Sequence, residues 1–242
     1  MLSLSWGDPE QGKLGHPKKE LTEDEKKKQQ QEYRKHGYTP KSLNLKHEVG
    51  FIAGDLSERK VIDVACGSSH TACITAEGEV YTWGNGKNGA LGHGDWVQSD
   101  QPKKVEGLTD IVKIECGNDY TVCMDKNGKL YSWGANRYGQ LGVHGNNLNK
   151  PHVVNLPHTV TKVVDFAVGE DHSALLTDKG EVYTWGLGMD GQLGHSDRYN
   201  LSQPRKVNFN EKVAKVVCGG GHTGLIIAGS GNVFMFGKAR DG

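Results

Sequence analysis

The stretch Val64-Ala65-Cys66-Gly67-Ser68-Ser69-His70-Thr71, continued by Gly78-Glu79-Val80-Tyr81-Thr82-Trp83-Gly84 and Gly89-Ala90-Leu91-Gly92, decides the fold because it comes back. Trp-Gly stands at Trp6, Trp83, Trp133 and Trp185, with Phe236-Gly237 in the fifth place, in steps of 77, 50, 52 and 51 residues. The Cys-Gly position recurs at Cys66, Cys116, Val168 and Cys218, and Gly-x-Leu-Gly begins at Gly12, Gly89, Gly139 and Gly191. Three independent markers share one period of about 51 residues. A fixed period of that size is the mark of a repeat architecture.

Working outward from these markers, each unit reads as short strands. In Ile62/Val64/Cys66, Val112/Ile114/Cys116, Val164/Phe166/Val168 and Ala214/Val216/Cys218, alternate residues are apolar, with Asp63, Lys113, Asp165 and Lys215 between the first two. A period of two predicts one buried face and one wetter face. A glycine-containing turn and a second strand follow, the latter exemplified by Thr71 to Thr75. Glu77-Gly78, Asn127-Gly128 and Lys179-Gly180 read as hairpin turns into the strands that end in Trp-Gly. A fourth strand carries Pro102, Pro151 or Pro204, which suits an outer edge because proline cannot donate to a ladder. Four strands per repeat is a β-propeller blade. The expected fold is therefore all-β: four complete blades and a partial one.

Composition agrees. Glycine supplies 34 of 242 residues, about twice its usual ~7% share, as many tight turns require. The 29 Lys+Arg balance 29 Asp+Glu, so no bulk attraction to nucleic acid or to an anionic membrane is expected. No run of 18 apolar residues occurs, and the opening Met1 to Trp6 lacks the pattern of a secretory leader. A soluble, intracellular protein is the expectation. The cysteines, five in number, include no C-x-x-C pair, so neither a disulfide framework nor a zinc site is expected. No P-loop, metalloprotease helix or nucleophile elbow is present. Gly84-Asn85-Gly86-Lys87-Asn88-Gly89 fits G-x-G-x-x-G only formally, since it belongs to the repeat series. No cofactor, no metal and no enzymatic activity are expected.

From Val-x-Cys-Gly-x-x-His-Thr to Gly-x-Leu-Gly, the repeat resembles that of the regulator of chromosome condensation family, across roughly residues 40 to 237 and again at Trp6-Gly7 and Gly12 to Gly15. That resemblance implies a propeller that is seven-bladed in its complete form. In the family's exchange factors for the small GTPase Ran, acidic and histidine side chains in turns on one face help to open the GTPase; Asp119 and Asp171 match such positions, whereas Ser69 and Gly221 do not. The family's plant photoreceptors use a tryptophan-bearing turn, and here those positions hold Ser68, Asn118, Glu170 and Gly220, so that role is disfavoured.

Two stretches depart from the repeat. Residues 17 to 36 hold seven Lys/Arg and five Asp/Glu; Thr22 with Glu25 reads as a capping box and Gly37 as a stop, so 23 to 35 has the marks of a helix. Only Leu21 and Tyr33 could anchor it. It reads either as a solvated loop or as a segment that contacts another chain or missing blades. The sequence also begins and ends inside a repeat, which predicts that it is part of a longer protein or that other segments complete the ring. The expected division is 1–16, the end of a partial blade; 17–39, the charged insertion; and 40–242, four repeats with the last loop truncated.

Candidate binding residues follow from repeat position. His70, His172 and His222, with Tyr120 in the second unit, recur after the first strand; they read as bonds across to the next blade or as part of a binding face. Asp119 and Asp171 read as turn residues or as GTPase-contacting acids. Trp96 lies outside the repeat pattern and reads as an exposed contact residue or as packing on its own loop. The predicted function is a non-enzymatic interaction scaffold for protein partners, with guanine nucleotide exchange on a small GTPase as the alternative.

Overall fold

The computed structural model describes residues 4–7, 46–51, 56 and 58–239. The expected helix at 23–35, with the whole of the charged insertion, lies outside them.

Among the described residues are 17 strands and no helix. The strands β1 (Leu4–Gly7) and β2 (Lys46–Phe51) pair antiparallel. The first full blade is β3 (Val61–Cys66), β4 (His70–Thr75), β5 (Val80–Gly84) and β6 (Ser99–Lys104). The second is β7 (Ile111–Cys116), β8 (Tyr120–Asp125), β9 (Leu130–Gly134) and β10 (Leu148–Val153), and the third is β11 (Val163–Val168), β12 (His172–Thr177), β13 (Val182–Gly186) and β14 (Leu201–Lys206). In each, the strands lie side by side in chain order, and the proline-bearing strand takes the outer edge. The fourth blade holds β15 (Val213–Cys218), β16 (His222–Ile227) and β17 (Val233–Gly237). Among the described residues three sheets have four strands and the fourth has three.

A correction concerns the first strand of each blade. The alternating set was expected to face the core, yet Val112 and Val164 are exposed, while Ile111 with Ile114, Val163 with Phe166, and Val213 with Val216 are buried. The cause is a break in register between the first and third residues of β3, β7, β11 and β15, where two residues oppose one on the partner strand. A bulge of this kind inserts a residue and inverts the faces beyond it. In the first blade Ile62 and Val64 are both exposed, Val64 at 59% against 2% for its counterpart Ile114.

The core is a set of seams between blades. Ala72, Ile74 and Val80 of the first blade meet Ile111, Ile114 and Trp133 of the second. Val122, Met124 and Leu130 of the second meet Val163, Phe166 and Trp185 of the third, and Ala174, Leu176 and Val182 of the third meet Val213, Val216 and Leu225 of the fourth. Trp83, Trp133 and Trp185 are fully buried, as equivalent repeat positions should be.

Candidate functional site

The turns between first and second strands gather at one mouth of the array. Their backbones form a chain from blade to blade: Ser68 N donates to Asn118 O (3.2 Å), Asn118 N to Glu170 O (2.8 Å), and Glu170 N to Gly220 O (3.2 Å). A cleft lined by Cys66, Cys116, Val168 and Cys218, with the glycines that follow each, runs along this chain. The loops after the third strands share this face, because Asn85 N, Ala135 N and Leu187 N each donate to the turn of their own blade, at Ser69 O, Asp119 O and Asp171 O.

His70 and His172 are buried and point across the seams. His70 Nε2 lies 2.8 Å from Thr121 Oγ1, and His172 Nε2 lies 3.0 Å from Thr223 Oγ1. Both hydroxyls already donate onward, to Ala90 O and Gln192 O, so each histidine carries its proton on Nε2. The bare Nδ1 atoms have no partner. Burial lowers both histidines to about 4, so they are neutral at physiological pH. Tyr120 does the same work in the second blade: its hydroxyl donates to His172 O at 2.6 Å, and burial raises it well above the usual phenol range. His222 occupies the same position and is exposed.

The acidic turn residues are tied as well. Asp119 accepts from Ser69 Oγ and Asn88 Nδ2, each at 3.0 Å. Asp171 accepts from Gln140 Nε2 at 3.0 Å and from Asn118. Burial, reinforced by the nearby carboxylates of Glu170 and Asp119, raises the Asp171 acid above the ordinary aspartate range against those two bonds. Asp119 and Asp171 thus sit together at the mouth, each between the preceding blade's turn and a loop amide. Glu170 beside them is exposed, its carboxyl over Gly220.

Around this centre the loops present apolar side chains that the repeat does not demand: Trp96 at 46% exposure, Val97 at 66%, Met189 at 62% and Tyr199 at 75%. Val97 and Tyr199 occupy equivalent places, each with its backbone against a loop glycine, Gly86 or Gly188. The Trp96 ring edge lies over Gly89 of its own loop while nearly half of the side chain stays exposed. Sequence reasoning missed Val97, Met189 and Tyr199; the available signal was that the repeats disagree at those positions.

Four of the five thiols are held protonated by their environment, and the fifth, Cys66, is exposed. Burial raises Cys73 and Cys218 to about 12, and Cys116 and Cys123 rise for the same reason. Among the described residues no group of His, Cys, Asp and Glu is arranged to hold a metal ion, and no helix is long and apolar enough to cross a membrane.

Comparison with known proteins fits this architecture. Residues 3–242 match the model of the RCC1-like domain. The mouse protein named probable E3 ubiquitin-protein ligase HERC4 is 35% identical over 192 residues, which are 77% of this chain and 18% of that protein. Human E3 ubiquitin-protein ligase HERC2 is 31% identical over 245 residues, 98% of this chain and 4% of that one. The chain therefore spans under a fifth of the length of these relatives. Among solved structures, Prp20p of Saccharomyces cerevisiae, described with its binding properties to Gsp1p and histones, superposes with a TM-score of 0.70 at 26% identity, covering 80% of this chain and 49% of that one. Human WBSCR16 gives 0.76 at 24% identity, covering 97% and 56%, a likeness of fold. By its repeats, its blades and this match along nearly its whole length, the chain belongs to the family of RCC1-like domains.

Proposed function

We propose that this domain is a non-enzymatic scaffold whose mouth face binds protein partners through the loops after the third strands. The observation that carries the reading is the placement of Trp96, Val97, Met189 and Tyr199, exposed on loops whose backbones are pinned to the turns beneath them. Exposed aromatic side chains on a rigid base lose little entropy on binding and supply much of the energy at interfaces. His70 and His172 are committed to the seams as neutral buried side chains, and burial holds the Cys116 thiol protonated.

The test is a partner affinity measured for the wild type, for Trp96→Ala with Tyr199→Ala, and for Glu58→Gln as a surface control. The scaffold reading expects the paired rim substitution to weaken binding at least ten-fold, about 1.4 kcal/mol, and the control to leave it alone. Equal binding by all three sinks it.

A second reading rests on Asp119 and Asp171 on the same face and on the likeness to Prp20p, which binds Gsp1p. An exchange factor needs only to favour the nucleotide-free GTPase over the loaded one. Acids at the mouth would do so by competing for the lysine that holds the nucleotide's phosphates. Accelerated nucleotide release is its signature.

A further inference from the structure

The second blade's loop differs from its neighbours. From the glycine that closes Gly-x-Leu-Gly to the residue paired with the end of the third strand, it runs Gly142 to Leu148, whereas its counterparts run Gly92 to Ser99 and Gly194 to Leu201. It is one residue shorter and has no aromatic tip. Between the first and second blades the corresponding gap is filled, with the Trp96 ring over Gly89 and the Lys150 stem over Gly94. Between the second and third blades a cleft of about 270 Å³ stays open.

Its lining, which includes Val143 and Gly139, holds no acid, and its available donors are on Arg137, Asn200 and Ser202, since the Asn136 amide is spent on Val143 O and Gly145 O. Asn136, Arg137, Tyr138, Gly145, Asn200 and Ser202 form the rest of it, and Arg137 carries its only formal charge. Arg59 and Arg205 hold carboxylates, but Arg137 is exposed and has no ion-pair or side-chain hydrogen-bond partner among the described residues. Asn200 has its amide oxygen occupied by Gly188 N (3.0 Å), leaving its NH₂ as a donor. Ser202 Oγ lies 2.7 Å from His144 Nδ1, so the hydroxyl is free to donate when His144 supplies that proton. The floor is rigid: Gly139 has φ +85, and a Cβ there would stand 2.5 Å from the Ser202 backbone, so the two loops meet at fixed distance.

We propose that this cleft is a site for an oxyanion on a protein partner's side chain, a carboxylate or a phosphate held by the Arg137 guanidinium and the neighbouring donors. A guanidinium fork with neutral donors around it is the arrangement that reads planar or tetrahedral oxyanions. The volume is below the ~300–1,000 Å³ of small-molecule sites, so it fits the tip of a side chain and not a free metabolite. The inference rests on the scaffold reading for the carrier of the anion, but it concerns a different part of the face from Trp96 and Tyr199.

The test is NMR titration of the 242-residue chain with N-acetyl-phosphoserine amide, N-acetyl-glutamate amide and, as the uncharged control, N-acetyl-glutamine amide. The expected result is saturable shifts at the Arg137 side-chain N–H and the Gly145 amide with one or both anionic probes and none with the control. Arg137→Gln should weaken the titration about ten-fold or more, the worth of one charge-assisted contact, while Lys87→Gln, the exposed cation at the same repeat position of the first blade, should not. Saturation by phosphoserine alone assigns the site to phosphate; saturation by both admits a carboxylate. Linear shifts with every probe, or an Arg137→Gln protein that titrates like the wild type, overturn the proposal. Failure here leaves the rim test of the scaffold untouched, since that test reads through Trp96 and Tyr199.

Discussion

The mouth and the rim of one face behave oppositely. At the mouth stand the residues the repeat makes conspicuous, and they are spent on holding blades together: His70 on Thr121, Tyr120 on His172, Asp119 on Ser69 and Asn88. At the rim stand Trp96, Val97, Met189 and Tyr199, which no repeat position requires and which stay exposed. A side chain that recurs at every period answers a need that recurs at every period, namely the seam. A side chain that appears once is free for something else.

The largest effect should come from beneath the mouth. Trp133 is fully buried and donates to Ala90 O of the preceding blade at 2.8 Å, so Trp133→Ala should cost about 3–5 kcal/mol, read as a large fall in melting temperature. Trp96→Ala at the rim, where the ring is nearly half exposed, should cost only about 1 kcal/mol. Equal losses would erase the contrast.

Acid should attack the mouth next. His70 and His172 lie near 4 in the folded chain against 6.5 for a free histidine, so below 6.5 the unfolded state binds more protons. Their contribution is present in full above pH 6.5 and is lost as the pH falls toward about 4, up to about 3 kcal/mol for each. Urea melts at pH 7 and pH 4.5 should differ accordingly, and the difference should shrink in His172→Gln. No shrinkage would mean that other groups govern acid stability.

A smaller effect separates two residues of identical repeat position. His172→Ala breaks a buried bond and should cost about 1–3 kcal/mol, whereas His222→Ala, at an exposed site, should fall within about 0.5 kcal/mol. Paired denaturant melts decide it. The smallest effect is chemical: a maleimide should label exposed Cys66 well before buried Cys73 or Cys123 in the native protein. Simultaneous labelling would place those strands in solvent.

Much of this was legible beforehand. The period gave the blades, Pro102, Pro151 and Pro204 marked the edge strands, and Trp83, Trp133 and Trp185 marked the core. The inner strand's buried face was not legible from alternation, because one bulge moves burial from Val112 to Ile111 while keeping Ile114 inside. The i, i+3 apolar pairs Ile111/Ile114, Val163/Phe166 and Val213/Val216 were the signal for it. The mouth residues were found by position, but whether their polar atoms face outward or across a seam depends on the neighbouring blade. The open cleft beside Arg137 comes from one missing loop residue, visible only once the strand pairing fixes the alignment.

The most direct test of the scaffold reading is nucleotide release from a panel of small GTPases loaded with a fluorescent guanine nucleotide, with and without this chain. The account predicts release at the intrinsic rate for every member, unchanged by Asp119→Asn or Asp171→Asn. Acceleration of any member, abolished by either substitution in a protein that keeps its melting temperature, would show that the acids at the mouth act on a partner and would contradict it.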